Sequence, residues 1–173
     1  MSVGSRRVDD RQGVDGEPEP GQERLFAQLY PSLRRFAAVV KPPEVDTDDL
    51  VQEALLRTLA LRPLSELDDP AAYLRRTIVN LSSNQRRWLA RRRGAIARLG
   101  ADSPDETRYP SDLQDLLRLK PADRAALYLA VVEDRGYDDV ADVLGCSEAA
   151  ARARVSRALR RLRVQLEEEV RDE

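Results

Sequence analysis

With 173 residues the chain has material for one ordinary domain or two small ones, and the polar stretch over 100–111 favours two, each with a thin core. Histidine is absent and Cys146 is the only cysteine, which excludes an internal disulfide and a Cys/His zinc site; a metal held by carboxylates alone stays open. Formal net charge is -2, no apolar run nears the roughly 18 residues of a membrane span, and residues 1–22 lack an apolar signal core, so a cytoplasmic protein without membrane insertion is expected.

Residues 1–22 are rich in Gly, Pro, Asp, Glu and Arg and hold too few apolar side chains to offset their ordering entropy, so they read as a disordered tail. From Glu23 the residues Leu25, Phe26, Leu29, Leu33, Phe36, Ala37 and Val40 recur at helical spacing, with Pro31 expected to split or kink the segment. After Pro42-Pro43, the acids of Asp46-Thr47-Asp48-Asp49 suit the start of a helix and its positive dipole end. That helix is expected to reach about Leu61, with Leu50, Val51, Ala54, Leu55, Thr58 and Leu59 inward and Asp49, Gln52, Glu53 and Leu56 on another face. Taken alone, Asp48 and Asp49 are ordinary helix-start acids.

Residues 63–69 read as a loop, and Asp69-Pro70 as a cap and first-turn proline opening a long helix to roughly Arg93. Its apolar face takes Leu74, Ile78, Leu81, Trp88 and Leu89, with Trp88 expected in the core. A second stripe carries Tyr73, Arg76, Thr77, Asn80, Ser83, Asn84, Arg87 and Arg91. Between Arg75 and Arg98 there are eight arginines and no acid. Amides, hydroxyls and guanidinium groups in one stripe suit phosphates and base edges; a solvated basic face is the plainer alternative.

The C-terminal half is expected to begin near Asp112, with Leu113, Leu116, Leu117 and Leu119 on a short helix, a second from Pro121 through Val132, and Gly136 ending it. Helix 138–144, a turn at Gly145-Cys146 and a helix from Ser147 to about Leu166 make a helix-turn-helix. Ala141 is small where the two helices cross, Val140, Leu144, Ala151 and Val155 face inward, and Ser147 is the N-cap. Six arginines and no acid lie between Arg152 and Arg163. Outward Arg152, Arg157 and Arg160, beside small Ala149 and Ala153, suit a cationic recognition helix for the major groove. Cys146 reads as a small filler at the turn.

The order of these parts resembles the extracytoplasmic-function sigma factors of bacterial RNA polymerase. Leu29-Tyr30-Pro31 with Leu33-Arg34-Arg35-Phe36-Ala37 is similar to the family's opening helices, and Asp48-Asp49-Leu50-Val51-Gln52-Glu53-Ala54 to its D-D-L-x-Q-E motif. The segment 72–81 resembles the melting helix, with Tyr73 where a tryptophan is common, and residues 136–163, including Ser156, the upstream-reading domain. The run Ala149-Ala150-Ala151-Arg152 departs from the family's Gly-Thr-Val-Lys-like start, so promoter preference is the least transferable property.

The resemblance implies that Asp49, Gln52, Glu53 and Leu56 grip the clamp helices of the polymerase largest subunit. It implies that Tyr73, Arg76, Thr77, Asn80, Ser83, Asn84, Arg87 and Arg91 open and hold promoter DNA. Asn80 and Asn84 would lie near an extruded base, in a pocket lined by the loop 64–69. Ala149, Arg152, Ala153, Ser156, Arg157 and Arg160 would read the upstream element, and an anti-sigma factor would control release.

The expectation is therefore an all-α chain of two small helical domains joined by a flexible linker, the second a helix-turn-helix: tail 1–22, polymerase-binding and melting domain 23–98, linker 99–112, helix-turn-helix domain 113–166 and acidic tail 167–173. It uses no cofactor and, lacking a histidine, a glycine-rich phosphate loop or a nucleophile constellation, has no catalytic site. A stand-alone helix-turn-helix regulator is the alternative function; it leaves the Asp49 to Glu53 motif and the long arginine helix unused.

Overall fold

The computed structural model describes residues 20–98 and 116–172, so residues 1–19 of the expected tail over 1–22 and the linker over 99–112 lie outside the described residues, while residues 20–22, expected in that tail, belong to the first helix. The described part is helical, without a strand among the described residues. Helix α1 runs Pro20–Val40, α2 Thr47–Leu59 and α3 Pro70–Arg98. Residues 116–118 are helical, α4 runs Pro121–Leu127, α5 Tyr137–Leu144 and α6 Glu148–Asp172. The segment expected as an acidic tail from Glu167 continues α6 through Asp172.

Pro31 does not split the first segment: α1 is one 21-residue helix with the proline inside it. The inward row Leu33, Phe36, Ala37 and Val40 beyond the proline is fully buried, and packing of that row outweighs one missing backbone donor. Asp46 caps α2 by accepting the backbone N–H groups of Asp48 at 2.8 Å and Asp49 at 3.0 Å. Asp69 caps α3 through Ala72 N–H at 2.9 Å, and the connection before it contains a short 3-10 turn, Leu64–Glu66, anchored by buried Leu64.

Gly136 is not the stop of the α4 segment. Chain reversal there uses a widened turn, Tyr128–Val132, in which Glu133 N–H donates to the carbonyl of Tyr128, and the left-handed residue is Asp134 at φ 50°. Gly136 has φ -58° and starts α5. A short polar side chain tolerates the left-handed region well enough for Asp134 to take the place expected of glycine. Gly145 does close α5, at φ 63°, and Ser147 Oγ caps α6 by accepting the Ala150 N–H at 3.2 Å.

The two modules share one core. Leu119, Ala125, Ala126 and Leu129 are buried together with Phe36, Leu74 and Ile78. Phe36 of α1 and Tyr128 meet edge to face at 5.7 Å between ring centroids, a favoured aromatic geometry. Each thin half thus gains apolar contact from the other.

Around this apolar contact the boundary is held by arginines. Arg75 is buried and pairs with Glu133 at 2.9 Å. Arg76 donates through Nε to the carbonyl of Asp142 at 3.0 Å, and its terminal nitrogen reaches the same oxygen. Arg124, 1% exposed, donates to the carbonyl of Lys41 at 3.0 Å while its Nε meets no partner. Burial, with a smaller contribution from nearby Arg86, pushes the Arg124 guanidinium down to about 10.

Candidate polymerase and nucleic-acid interface

The three acids that open α2 differ in their local duties. Asp46 caps the helix. Asp48 accepts hydrogen bonds from Tyr30 Oη and from Arg34 Nε, both at 2.8 Å, which tie α1 to α2. The Tyr30 bond first, then the Arg34 bond, holds the Asp48 carboxyl below its usual range, and the same contact raises the Tyr30 hydroxyl. Asp48 is thus a structural tie, while Asp49 carries no such inward bond.

Asp49, Gln52 and Leu56 are exposed, Leu56 to 64%, and Glu53 is half-buried. Glu53 accepts from Arg57 Nε at 2.6 Å one helical turn on, an exposed pair that leaves the second carboxylate oxygen available. Leu56, one turn beyond Gln52 and Glu53, makes this edge mixed apolar and charged, a composition common at protein docking surfaces.

Asp49 and Glu53 also line a shallow cleft of about 320 Å³ whose other wall is α3, through Leu81, Asn84 and Gln85. The structure therefore joins Asn84, expected in the nucleic-acid stripe, to the α2 acids expected to face polymerase. The loop 64–69 does not line this cleft. The buried Gln85 Oε1 has no hydrogen-bond partner there.

The stripe on α3 divides. Tyr73 is half-buried and its carbonyl accepts the half-buried Thr77 hydroxyl at 3.0 Å. Arg76 is held by α5, as described above. Asn80, Asn84, Arg87 and Arg91 are exposed, Ser83 is half-buried, and Arg87 donates to Asn84 Oδ1. The solvent-facing stripe is thus Asn80 to Arg91, while Arg76, the first basic residue of the longer row, serves the boundary between modules.

Trp88 is not in the core. Its side chain is 51% exposed, and the guanidinium of Arg92 lies over its ring at 5.3 Å from the centroid. The last buried residue of α3 is Ser82, and beyond it the helix keeps only partial cover, with Asn84 and Gln85 flanking the α2 cleft and Arg93 reaching Glu44. Leu89 is only half-buried for the same reason.

On α6, Ala149, Arg152, Ser156, Arg157 and Arg160 are exposed and Ala153 is half-buried. Arg152 pairs with Glu148 at 2.8 Å and lies 4.9 Å from the Tyr137 ring centroid. Arg154 and Arg161 turn the other way, to Asp123, at 2.8 and 3.9 Å. Inward Val140, Ala141, Ala151 and Val155 are buried, and Cys146 is a half-buried free thiol at the turn. Arg75, Arg124, Asp123 and Glu133 carry structural work that the sequence reading did not single out, because each finds its partner 31 or more residues away.

Comparison with known proteins fits this geometry. Residues 25–93 match the model of sigma-70 region 2, and residues 115–162 that of sigma-70 region 4. The chain is 32% identical over 149 residues to the RNA polymerase sigma-E factor of Streptomyces avermitilis, covering 79% of each chain. It is 33% identical over 143 residues to the ECF RNA polymerase sigma factor EcfG of Rhodopseudomonas palustris, covering 76% of this chain and 77% of that one. Its fold resembles that of the sigma factor RpoE of Bartonella quintana, solved with the anti-sigma factor NepR, with a TM-score of 0.64 at 23% identity over 84% of this chain and 96% of the other. A match to both regions in this order leaves the stand-alone regulator without support. The chain belongs to the extracytoplasmic-function sigma factors, which direct RNA polymerase to promoters at transcription initiation.

Proposed function

We propose that this sigma factor docks on the clamp helices of the polymerase largest subunit through Asp49, Gln52, Glu53 and Leu56. The carrying observation is the exposed Leu56 set beside Asp49 and Glu53, with Asp48 tied off to α1. Asn80, Asn84, Arg87 and Arg91 contact the opened promoter from the adjoining face of α3. Ala149, Arg152, Ala153, Ser156, Arg157 and Arg160 anchor the upstream duplex. Tyr73, Arg76, Thr77 and Ser83 join the melting surface once α3 parts from α5, since Arg76 is engaged by the Asp142 carbonyl while they touch.

Opening uses no covalent chemistry by the sigma factor. Extruding a base costs a few kcal/mol, and tighter binding of the open strand than of the duplex offsets it. The protein acts in the cytoplasm and is restrained by an anti-sigma factor. We assign residues 23–98 to polymerase binding and melting, 113–166 to upstream recognition, and 99–112 to the linker.

Run-off transcription with purified core polymerase and genomic fragments tests the reading. Specific start sites are expected, and a chain that neither co-purifies with core nor directs any start overturns it. Glu53→Arg is expected to weaken core binding at least tenfold with unchanged helix content by circular dichroism. Unchanged core affinity removes the docking assignment.

A further inference from the structure

Beyond Ser82, α3 carries two residues that the proposed function leaves without a role, Trp88 and Arg92. Trp88 stands half exposed, with Arg87, Arg91 and Arg92 exposed around it. Asn80, Asn84 and Trp88 follow each other at four-residue steps and so lie in one row along the helix, with Arg87 and Arg91 in the row beside them. Arg92 covers part of one indole face, at 5.3 Å.

An indole left in water forgoes a burial gain of about 2 kcal/mol or more, so its place among guanidinium groups calls for a ligand that satisfies both. An apolar helix from a partner would cover the indole but would strip water from arginines that have no carboxylate partner among the described residues, which is costly. An acidic peptide would pair with the arginines but offers the indole no flat apolar face. Duplex DNA supplies phosphates, yet its base faces are hidden in the stack. An unpaired strand supplies both, phosphates for the cations and open base faces for the ring. α3 itself carries no acid between Arg75 and Arg98, and of the acids near it Asp49 and Glu53 lie in the cleft with Asn84 while Glu44 is paired with Arg93.

We propose that Trp88, backed by Arg92, is a stacking platform for one unpaired base of the melted promoter strand. At about 1.5 Å per residue the indole stands about 12 Å along the helix from Asn80. That distance is about three to four nucleotides of a stacked strand, counted from the base that Asn80 meets. This proposal rests on the melting role assigned to α3, and it adds a contact that the D-D-L-x-Q-E and upstream-reading motifs do not contain.

Trp88 is the only tryptophan of the chain, so indole fluorescence, excited beyond the tyrosine absorption band, reports on this position alone. The full chain is titrated at fixed ionic strength with single-stranded oligothymidylate, a duplex of equal length, and inorganic tripolyphosphate. Strong quenching by the single strand is expected, at concentrations where the duplex and tripolyphosphate leave the emission nearly unchanged. Equal quenching by all three reduces the site to a basic surface, and no quenching by the single strand removes the contact; either outcome overturns the proposal.

Trp88→Ala is expected to lower single-strand affinity about tenfold and Trp88→Phe much less, with helix content and core affinity unchanged in both. In the holoenzyme, Trp88→Ala should reduce permanganate reactivity of melted promoter thymines severalfold. Wild-type holoenzyme that melts no promoter sinks the melting assignment itself. Melting by wild type that Trp88→Ala leaves intact sinks the stacking proposal alone. Quenching of Trp88 by core polymerase without DNA, to the level reached with the single strand, makes the indole a protein contact and also overturns the proposal.

Discussion

Helices α3 and α6 carry arginine stripes that look alike in sequence, eight without an acid in one and six in the other, yet the fold uses them differently. On α3 the division runs mainly along the axis: Arg75 and Arg76 hold the second module, Arg86 still reaches the Arg118 carbonyl and Arg93 reaches Glu44, while Arg87, Arg91 and Arg92 face solvent. On α6 it runs around the axis: Arg154 and Arg161 reach back to Asp123, while Arg152, Arg157 and Arg160 stay exposed. A run of like charge is therefore not one functional unit. What each guanidinium does is decided by whether a carboxylate or carbonyl from another element comes within reach.

The largest expected effect breaks the α3 boundary. Glu133→Ala leaves Arg75 buried without its carboxylate, which should lower stability by about 3 kcal/mol, and the melting temperature by roughly 10 °C in thermal denaturation. Small-angle scattering should show a more extended chain. A variant as stable and compact as wild type would mean that Arg75 is no anchor.

A smaller effect separates the two sides of α6. Replacing Arg157 and Arg160 together by Ala should reduce the magnitude of the log-log salt slope of holoenzyme binding to upstream duplex by about 1.8, if each neutralises one phosphate. Arg154→Ala should leave that slope unchanged and reduce stability instead. An equal change of slope in both variants would erase the distinction between the faces.

The smallest effect concerns Arg124, buried with a carbonyl and, among the described residues, no carboxylate. Arg124→Met should raise stability by about 1 kcal/mol, because an apolar side chain of similar length avoids the desolvation cost. With the folded guanidinium pushed down to about 10, the unfolded chain holds the proton more tightly than the folded one. Wild-type stability should then gain as pH rises above about 10, and the advantage of the variant should shrink there. A variant less stable than wild type at neutral pH would show that the Lys41 contact outweighs burial of the charge.

Much of the candidate site's geometry was legible because it is local. The α2 edge, the Asp69 and Ser147 caps and the helix-turn-helix depend on residues within four positions or on helical spacing, and a sequence displays both. The inward row of α2 follows the same logic, with Leu50, Val51, Ala54 and Thr58 all buried. Trp88 went astray because spacing tells which side of a helix is apolar but not where along it the covering helices end. Gly136 did so because two residues nearby suit the left-handed region, and only the path of the widened turn selects Asp134.

The sequence by itself determined the helical class, the two motif-bearing segments and the family that their order resembles, since periodicity, caps and motif spacing are local properties. Only the tertiary structure decided that the two modules share a core around Phe36 and Tyr128. It alone drew Arg75 and Arg76 into their boundary, sent Asp48 to α1 and left Trp88 beside Arg92 in solvent. Those outcomes depend on partners brought from distant positions, or on where packing stops, and neither is written in the spacing of neighbouring residues.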